Sequence, residues 1–188
     1  MNTLPGSTLV SPEARVVSFR GARPILGDRV FLAPGAMIIG DVILAEESSV
    51  WYQTVIRGDV NFIRIGRGTN IQDLCLIHGT TDVHPVRIGD SVTIGHGAII
   101  HGASLEDGCL IGMGARILDG ARVGAGALIG AGGVVPPGME IPPRVLAVGS
   151  PARVKRALRP EESDGIRESA AHYLEYARLH ARELGLIS

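Results

Sequence analysis

The 188-residue chain is short of several things that proteins commonly rely on. It has 1 Trp, 3 Tyr and 3 Phe although 45% of its residues are hydrophobic. With so few rings, the interior has to be filled by aliphatic and small side chains, and there are enough of these to exclude wholesale disorder. Two cysteines are too few for a disulfide scaffold or a thiolate-built zinc site. Lys and Arg number 18 against 19 Asp and Glu, a net charge of −1, which argues against a nucleic-acid partner. No apolar run reaches the ~20 residues that a membrane span needs. The start of the chain shows no basic stretch followed by an apolar core, as a signal peptide would. The expectation is a cytoplasmic protein with no membrane or nucleic-acid role.

What is present is a rhythm. Leu26, Leu32, Ile38, Leu44, Val50 and Ile56 stand six residues apart. After a slip come Ile65, Ile71 and Ile77; after a second, Ile88, Ile94 and Ile100; after a third, Leu105, Ile111, Ile117, Val123, Ile129 and Val135. Small or β-branched residues follow the anchors by four positions, among them Val30, Ala36, Val42, Thr54, Val60, Cys75, Thr81, Ala98, Ser104, Cys109 and Ala115. Met139, beyond Pro136 and Pro137, is the exception. A helical period of 3.6 would scramble both registers, whereas short strands with inward side chains two residues apart preserve them.

The fold expected is therefore all-β: a triangular prism of about six stacked coils, each with three six-residue sides. The gaps between Ile56 and Ile65 and between Ile77 and Ile88 are expected to be outward loops. Residues 1–25 lead into the first coil, and the β-helix domain extends over 1–158. From Pro160 to about Leu184 the composition turns to Glu, Arg and Ala, and a C-terminal helix in 159–188 is expected to pack on the prism. Its apolar stripe would be Ile166, Ala170, Tyr173, Ala177 and Leu184.

The repeat also places the histidines. His78 and His101 each follow an anchor by one residue, on the same face and one coil apart. Neighbouring strands lie ~4.8 Å apart, so the two imidazoles can share a zinc ion with bonds of ~2.0–2.1 Å. Arg57 joins the same column one coil below. His96 follows Ile94 by two residues, on the adjoining side, and stacks above Asp73. Five residues of extended chain, up to ~17 Å, separate it from His101, so a second copy of the chain would have to bring it to the same ion. Three prisms around a threefold axis achieve this, giving a homotrimer with one site per interface. The bland alternative is a cross-strand ladder of imidazoles. His84 lies in the loop at 82–86, and His172 and His180 fall in the helix as surface or packing residues.

The segments Val55-Ile56-Arg57-Gly58-Asp59, Asn70-Ile71-Gln72-Asp73, Leu76-Ile77-His78-Gly79, Ile94-Gly95-His96-Gly97 and Ile100-His101-Gly102 resemble the gamma-class carbonic anhydrases, the shorter bacterial members above all. The resemblance covers roughly residues 12–180, and it implies a left-handed parallel β-helix of hexapeptide repeats. It implies Zn2+, with Fe2+ or Co2+ as alternatives, bound by His78 and His101 of one subunit and His96 of the next. Arg57 and Asp73 would form an intersubunit salt bridge. Asp59 and Gln72 would line the pocket, with Gln72 hydrogen-bonding the metal's water. The implied reaction is reversible hydration of CO2 to bicarbonate by a metal-bound hydroxide. The chain departs from the best-known branch in having Val60 after Asp59 and only a short loop after His78, so that branch's glutamate proton shuttle is missing. His84 is the replacement considered, since imidazole titrates near neutrality.

Other readings stay open. A hexapeptide acyltransferase using acyl-coenzyme A is suggested by Val148-Gly149-Ser150-Pro151-Ala152-Arg153. A metal hydrolase acting on a thioester and a non-catalytic, metal-stabilised trimeric scaffold are the others. Gly124-Ala125-Gly126-Ala127-Leu128-Ile129-Gly130 looks like a dinucleotide loop, but it lies inside the six-residue rhythm with no helix after it. Cys75 and Cys109 are expected to be inert core residues, and Arg153, Lys155 and Arg156 a solvated or helix-covering surface.

Overall fold

In the computed structural model, residues 8–187 are described. The first seven residues of the expected lead-in lie outside that range. Parallel strands stack into three faces of one β-helix. The first face runs through Leu9–Val10, Phe31–Leu32, Ser49–Val50, Asn70–Ile71, Thr93–Ile94, Leu110–Ile111, Leu128–Ile129 and Val145–Val148. The second carries Arg15–Val17, the starts of Met37–Leu44 and Val55–Ile65, then Leu76–His78, Ile99–His101, Arg116–Ile117 and Val134–Val135. The third carries Ile25–Leu26, the ends of those same two long strands, then Val86–Ile88, Ser104–Leu105, Arg122–Val123 and Glu140–Ile141. There are about eight turns rather than six, because Leu9–Val10, Arg15–Val17 and the strands at 140–148 already belong to the stack.

Every anchor pairs with the anchor one coil away: Leu32 with Val50, Val50 with Ile71, Ile38 with Ile56, Ile56 with Ile77, and Ile77 with Ile100. Most anchors are completely buried. The second register needs a correction. Val60 and Ser104 are only partly buried and Thr81 is exposed, whereas Ile63, Val86 and Ala103 are buried in their place. Side chains of a strand share a face every second residue, so the inward partner lies two positions before an anchor. Counting four positions forward gives the same residue only where the spacing is six. Cys75 and Cys109 are buried inward residues, as expected.

The first expected loop is also corrected. Residues 55–65 form one continuous strand that bends around the corner between the second and third faces against Met37–Leu44. Gly40 makes this possible. Its φ is +76°, and a Cβ there would lie 2.3 Å from the Gly58 carbonyl oxygen. The second gap is a true loop at 79–85, closed by a bridge between Thr80 and His84.

The helix, Pro160–Glu183, lies on the first face. Proline at its first position needs no N–H partner, and the Glu162 carboxylate accepts the Arg159 backbone N–H at 2.8 Å and a guanidinium hydrogen bond from Arg156 at 2.7 Å. Arg156 thus serves the helix from the exposed antiparallel strand Arg153–Ala157, which covers the last strand of the first face. Ile166, Ala170, Ala177 and Ala181 are buried. Leu184, counted in the stripe from sequence, caps the helix and is exposed; Ala181 takes its place in the core. Ala177 and Ala181 pack with Leu9, Phe31, Ala33 and Trp51 in a second small core. Among the described residues no helix is long and apolar enough to cross a membrane.

Candidate metal centre

His78 and His101 sit at the end of the second face, where the chain turns toward the third. They are register partners, and Arg57 is the partner of His78 one coil below, as the sequence spacing expects. His78 Nδ1 and His101 Nε2 are 3.2 Å apart. The outer nitrogen of each ring faces a carboxylate: His78 Nε2 lies 3.0 Å from Asp59 Oδ1, and His101 Nδ1 lies 2.6 Å from Asp119 Oδ1. Arg57 donates to the other oxygen of Asp59.

Proton counting shows what this arrangement demands. If each ring donates its outer N–H to a carboxylate and is neutral, the two inner nitrogens direct lone pairs at each other across 3.2 Å. Only a proton or another cation between them relieves that repulsion. Two nitrogens on one tetrahedral zinc, at ~2.0–2.1 Å each, stand ~3.3 Å apart. The spacing and the donor set therefore fit a divalent metal.

Burial lowers the pKa of His78, an effect the Asp59 contact opposes, so the ring favours the neutral form that ligates metals. Burial pushes Asp59 and Asp119 up, but hydrogen bonds outweigh it in both. Arg57 and His78 hold Asp59 below the ordinary carboxylate range, and His101 and Thr80 do the same for Asp119.

His96 lies at the opposite end of the second face, at the corner leading in from the first. Its Nδ1 is 2.7 Å from Asp73 Oδ2, so the stacking expected from the repeat is present. Among the described residues of one chain, no three His, Cys, Asp or Glu side chains converge as a metal-ligand set. The buried Gln72 amide accepts the His96 backbone N–H at 3.2 Å and donates to Asn70 Oδ1 at 3.2 Å, leaving one amide hydrogen to offer. Within one chain, Arg57 meets Asp59, and Asp73 meets His96 and the Tyr52 backbone N–H.

Each of the three histidines thus has its own carboxylate. Asp119 was not singled out from the sequence, although the signal existed. It follows Ile117 by two residues, which stacks it above Gly102 in the coil over His101. His180 proves to be a packing residue: its Nδ1 is 2.8 Å from the Tyr52 hydroxyl and its ring is edge-on to Trp51. Burial moves the Cys75 thiol up to about 12, which removes it from ligation and nucleophilic chemistry at neutral pH.

Residues 85–119 match the family model described as the hexapeptide repeat of succinyl-transferase. The chain is 45% identical over 161 residues to a carbonic anhydrase of Geobacillus kaustophilus, covering 86% of each protein. The chain belongs to the gamma carbonic anhydrase family. It is 46% identical over 165 residues to the mitochondrial gamma carbonic anhydrase 1 of Arabidopsis thaliana, covering 85% of this chain but only 60% of that longer protein. Among solved structures, a hexapeptide transferase family protein from Anaplasma phagocytophilum superposes with a TM-score of 0.83 at 36% identity, over 87% of this chain and 96% of that one. The fold is thus shared between proteins named for hydration and proteins named for group transfer, and the gamma carbonic anhydrase assignment rests on sequence identity.

Proposed function

We propose that this gamma carbonic anhydrase homologue hydrates CO2 reversibly to bicarbonate at a Zn2+ held between two subunits of a homotrimer, with Fe2+ or Co2+ able to take its place. The observation that carries this reading is the inner pair of nitrogens, His78 Nδ1 and His101 Nε2, 3.2 Å apart with a carboxylate behind each ring. The third ligand would be His96 of a neighbouring copy. The surface beside His96 supports the trimer. Leu74 is 67% exposed, Met113, stacked above His96, is 59% exposed, and Leu76 on the second face is 42% exposed. Apolar side chains bared along the edge that has to meet another subunit's histidines suit a contact between copies.

When bound, such an ion supplies the Lewis acidity that makes water nucleophilic at neutral pH. The chain's own residues supply orientation. Asp59, itself held by Arg57, fixes the His78 ring through Nε2. Gln72 offers its remaining amide hydrogen toward the corner where His96 stands. Asp73 orients His96 through Nδ1 and, across the interface, would also meet Arg57. His84, which lies beside Gly102 and Gly120 on the 79–85 loop, would be the imidazole that passes a proton to buffer. Both cysteines are free thiols, in keeping with a reducing compartment such as the cytoplasm.

The transferase likeness favours a second reading, acyl transfer from an acyl-coenzyme A, so the test must separate the two. Protein purified anaerobically is analysed for metal, for CO2 hydration by stopped flow, and for coenzyme A binding. About one zinc or iron per chain with buffer-dependent hydration is expected. Metal-free protein that binds coenzyme A would overturn the proposal, and bound metal without turnover would leave a thioester hydrolase or a scaffold.

A further inference from the structure

The short loop at 79–85 is built into the stack rather than hung from it. Thr80 donates its backbone N–H to the His84 carbonyl at 2.9 Å, and the Thr80 carbonyl accepts from Asn61 Nδ2 at 3.0 Å. The Thr80 hydroxyl then donates to Asp119 Oδ2 at 2.9 Å. The loop therefore starts at the coil of His78, passes the coil of His101 and is tied to the coil above. The second oxygen of the same carboxylate is the one that faces His101 Nδ1, at 2.6 Å.

Space for this contact is left by a glycine. Gly102, directly after His101, has φ of +57°, and a Cβ there would lie 2.5 Å from Asp119 Oδ1 and 2.7 Å from the His84 Cβ. Any side chain at 102 would push the carboxylate away from the imidazole. Loop, glycine and carboxylate form one unit that meets the ring of His101 at Nδ1.

We infer that Asp119, braced by Thr80 across the space left at Gly102, is a positioning residue that keeps the proton of His101 on Nδ1 and so presents Nε2 to the metal. The inference rests on the metal reading above and adds to it which nitrogen of His101 binds and which residues outside the ligand set decide this. Neutral imidazole in water favours the proton on Nε2, the nitrogen needed here as ligand, so a carboxylate at Nδ1 selects the binding-competent tautomer. Thr80 donates its one hydroxyl hydrogen to the other oxygen of the carboxylate and so holds its plane, as a support behind a metal-binding histidine must.

The test uses the full-length protein and two readouts. Zinc affinity is measured by chelator competition at fixed pH, and the His101 tautomer is read from long-range 1H–15N spectra of metal-free protein. Asp119→Ala is expected to weaken zinc binding about 10–100-fold and to move the His101 proton from Nδ1 to Nε2. Asp119→Asn, whose amide oxygen can still accept from Nδ1, should recover much of both. Thr80→Val, which breaks only the brace, should cost a few-fold. A well-folded Asp119→Ala protein with wild-type affinity and the proton still on Nδ1 would overturn the inference. If the wild-type protein binds no zinc, the metal reading fails separately. The tautomer then decides alone: a proton that leaves Nδ1 only when Asp119 is removed supports the positioning role, and one that does not move refutes it.

Discussion

The second and third faces of the prism bury similar residues and expose opposite ones. Inward, the second face stacks Ile38, Ile56, Ile77, Ile100 and Ile117, and the third stacks Leu44, Ile65, Ile88, Leu105 and Val123. One residue earlier, facing out, the second face shows Met37, Val55, Leu76 and Ile99 up to the coil of His101 and Arg116 in the coil above, whereas the third shows Ile43, Arg64, Arg87, Ser104, Arg122 and Glu140. On the third face, Arg64 and Arg87 both stand over the Phe62 ring, at 4.8 and 4.7 Å, and Arg122 pairs with Glu106. The coil needs only its inward column. The outward column is free to choose a partner, and the apolar one has the histidines at its ends.

That contrast can be broken by charge. Leu76→Glu places a carboxylate in the middle of the apolar column, and the proposed trimer is expected to fall apart into folded monomers with neither the proposed metal nor the proposed hydration. Arg87→Glu on the third face is expected to leave assembly intact. Sedimentation with circular dichroism checks both. Equal assembly of the two variants would show that the second face is not the contact.

The inward and outward columns should differ in stability as well. Ile100→Ala removes a wholly buried side chain and should cost about 2–5 kcal/mol in denaturant unfolding. Arg87→Ala, exposed and losing only its stacking on Phe62, should cost no more than about 1 kcal/mol.

The smallest effect expected is on acid stability. Asp59 and Asp119 have folded pKa values below the ordinary 3.8, so their stabilising contributions are present above the unfolded value and are lost as the pH falls through the folded one. Asp59→Asn should therefore lose less stability than the wild-type protein between pH 5 and pH 2 in urea melts. A parallel loss would place the acid sensitivity elsewhere.

How much of this was readable from residues alone depends on whether a feature repeats. Anchors six apart located His78, His101, Arg57 and the Asp73–His96 stack, because register in a β-helix is arithmetic once the inward residues are known. The arithmetic failed where the spacing changed. Between Ile56 and Ile65 the three extra residues became a bent strand through the close approach of Gly40 and Gly58, which no period reveals. Forward counting likewise led to Val60, Thr81 and Ser104 instead of Ile63, Val86 and Ala103. Asp119 was missed although its register was available, because a lone aspartate gains meaning only once the 79–85 loop is seen to reach it.

The central claim is that one ion is held by imidazoles from two chains, and subunit exchange tests it most directly. His96→Ala and His101→Ala proteins are each expected to be inactive and metal-poor. Mixed in equal amounts, unfolded and reassembled, they should regain about a quarter of the wild-type metal content and hydration rate, since that fraction of interfaces in random trimers joins an intact His78–His101 pair to an intact His96. Reassembled mixed trimers, verified by mass, that recover neither metal nor hydration would contradict the account.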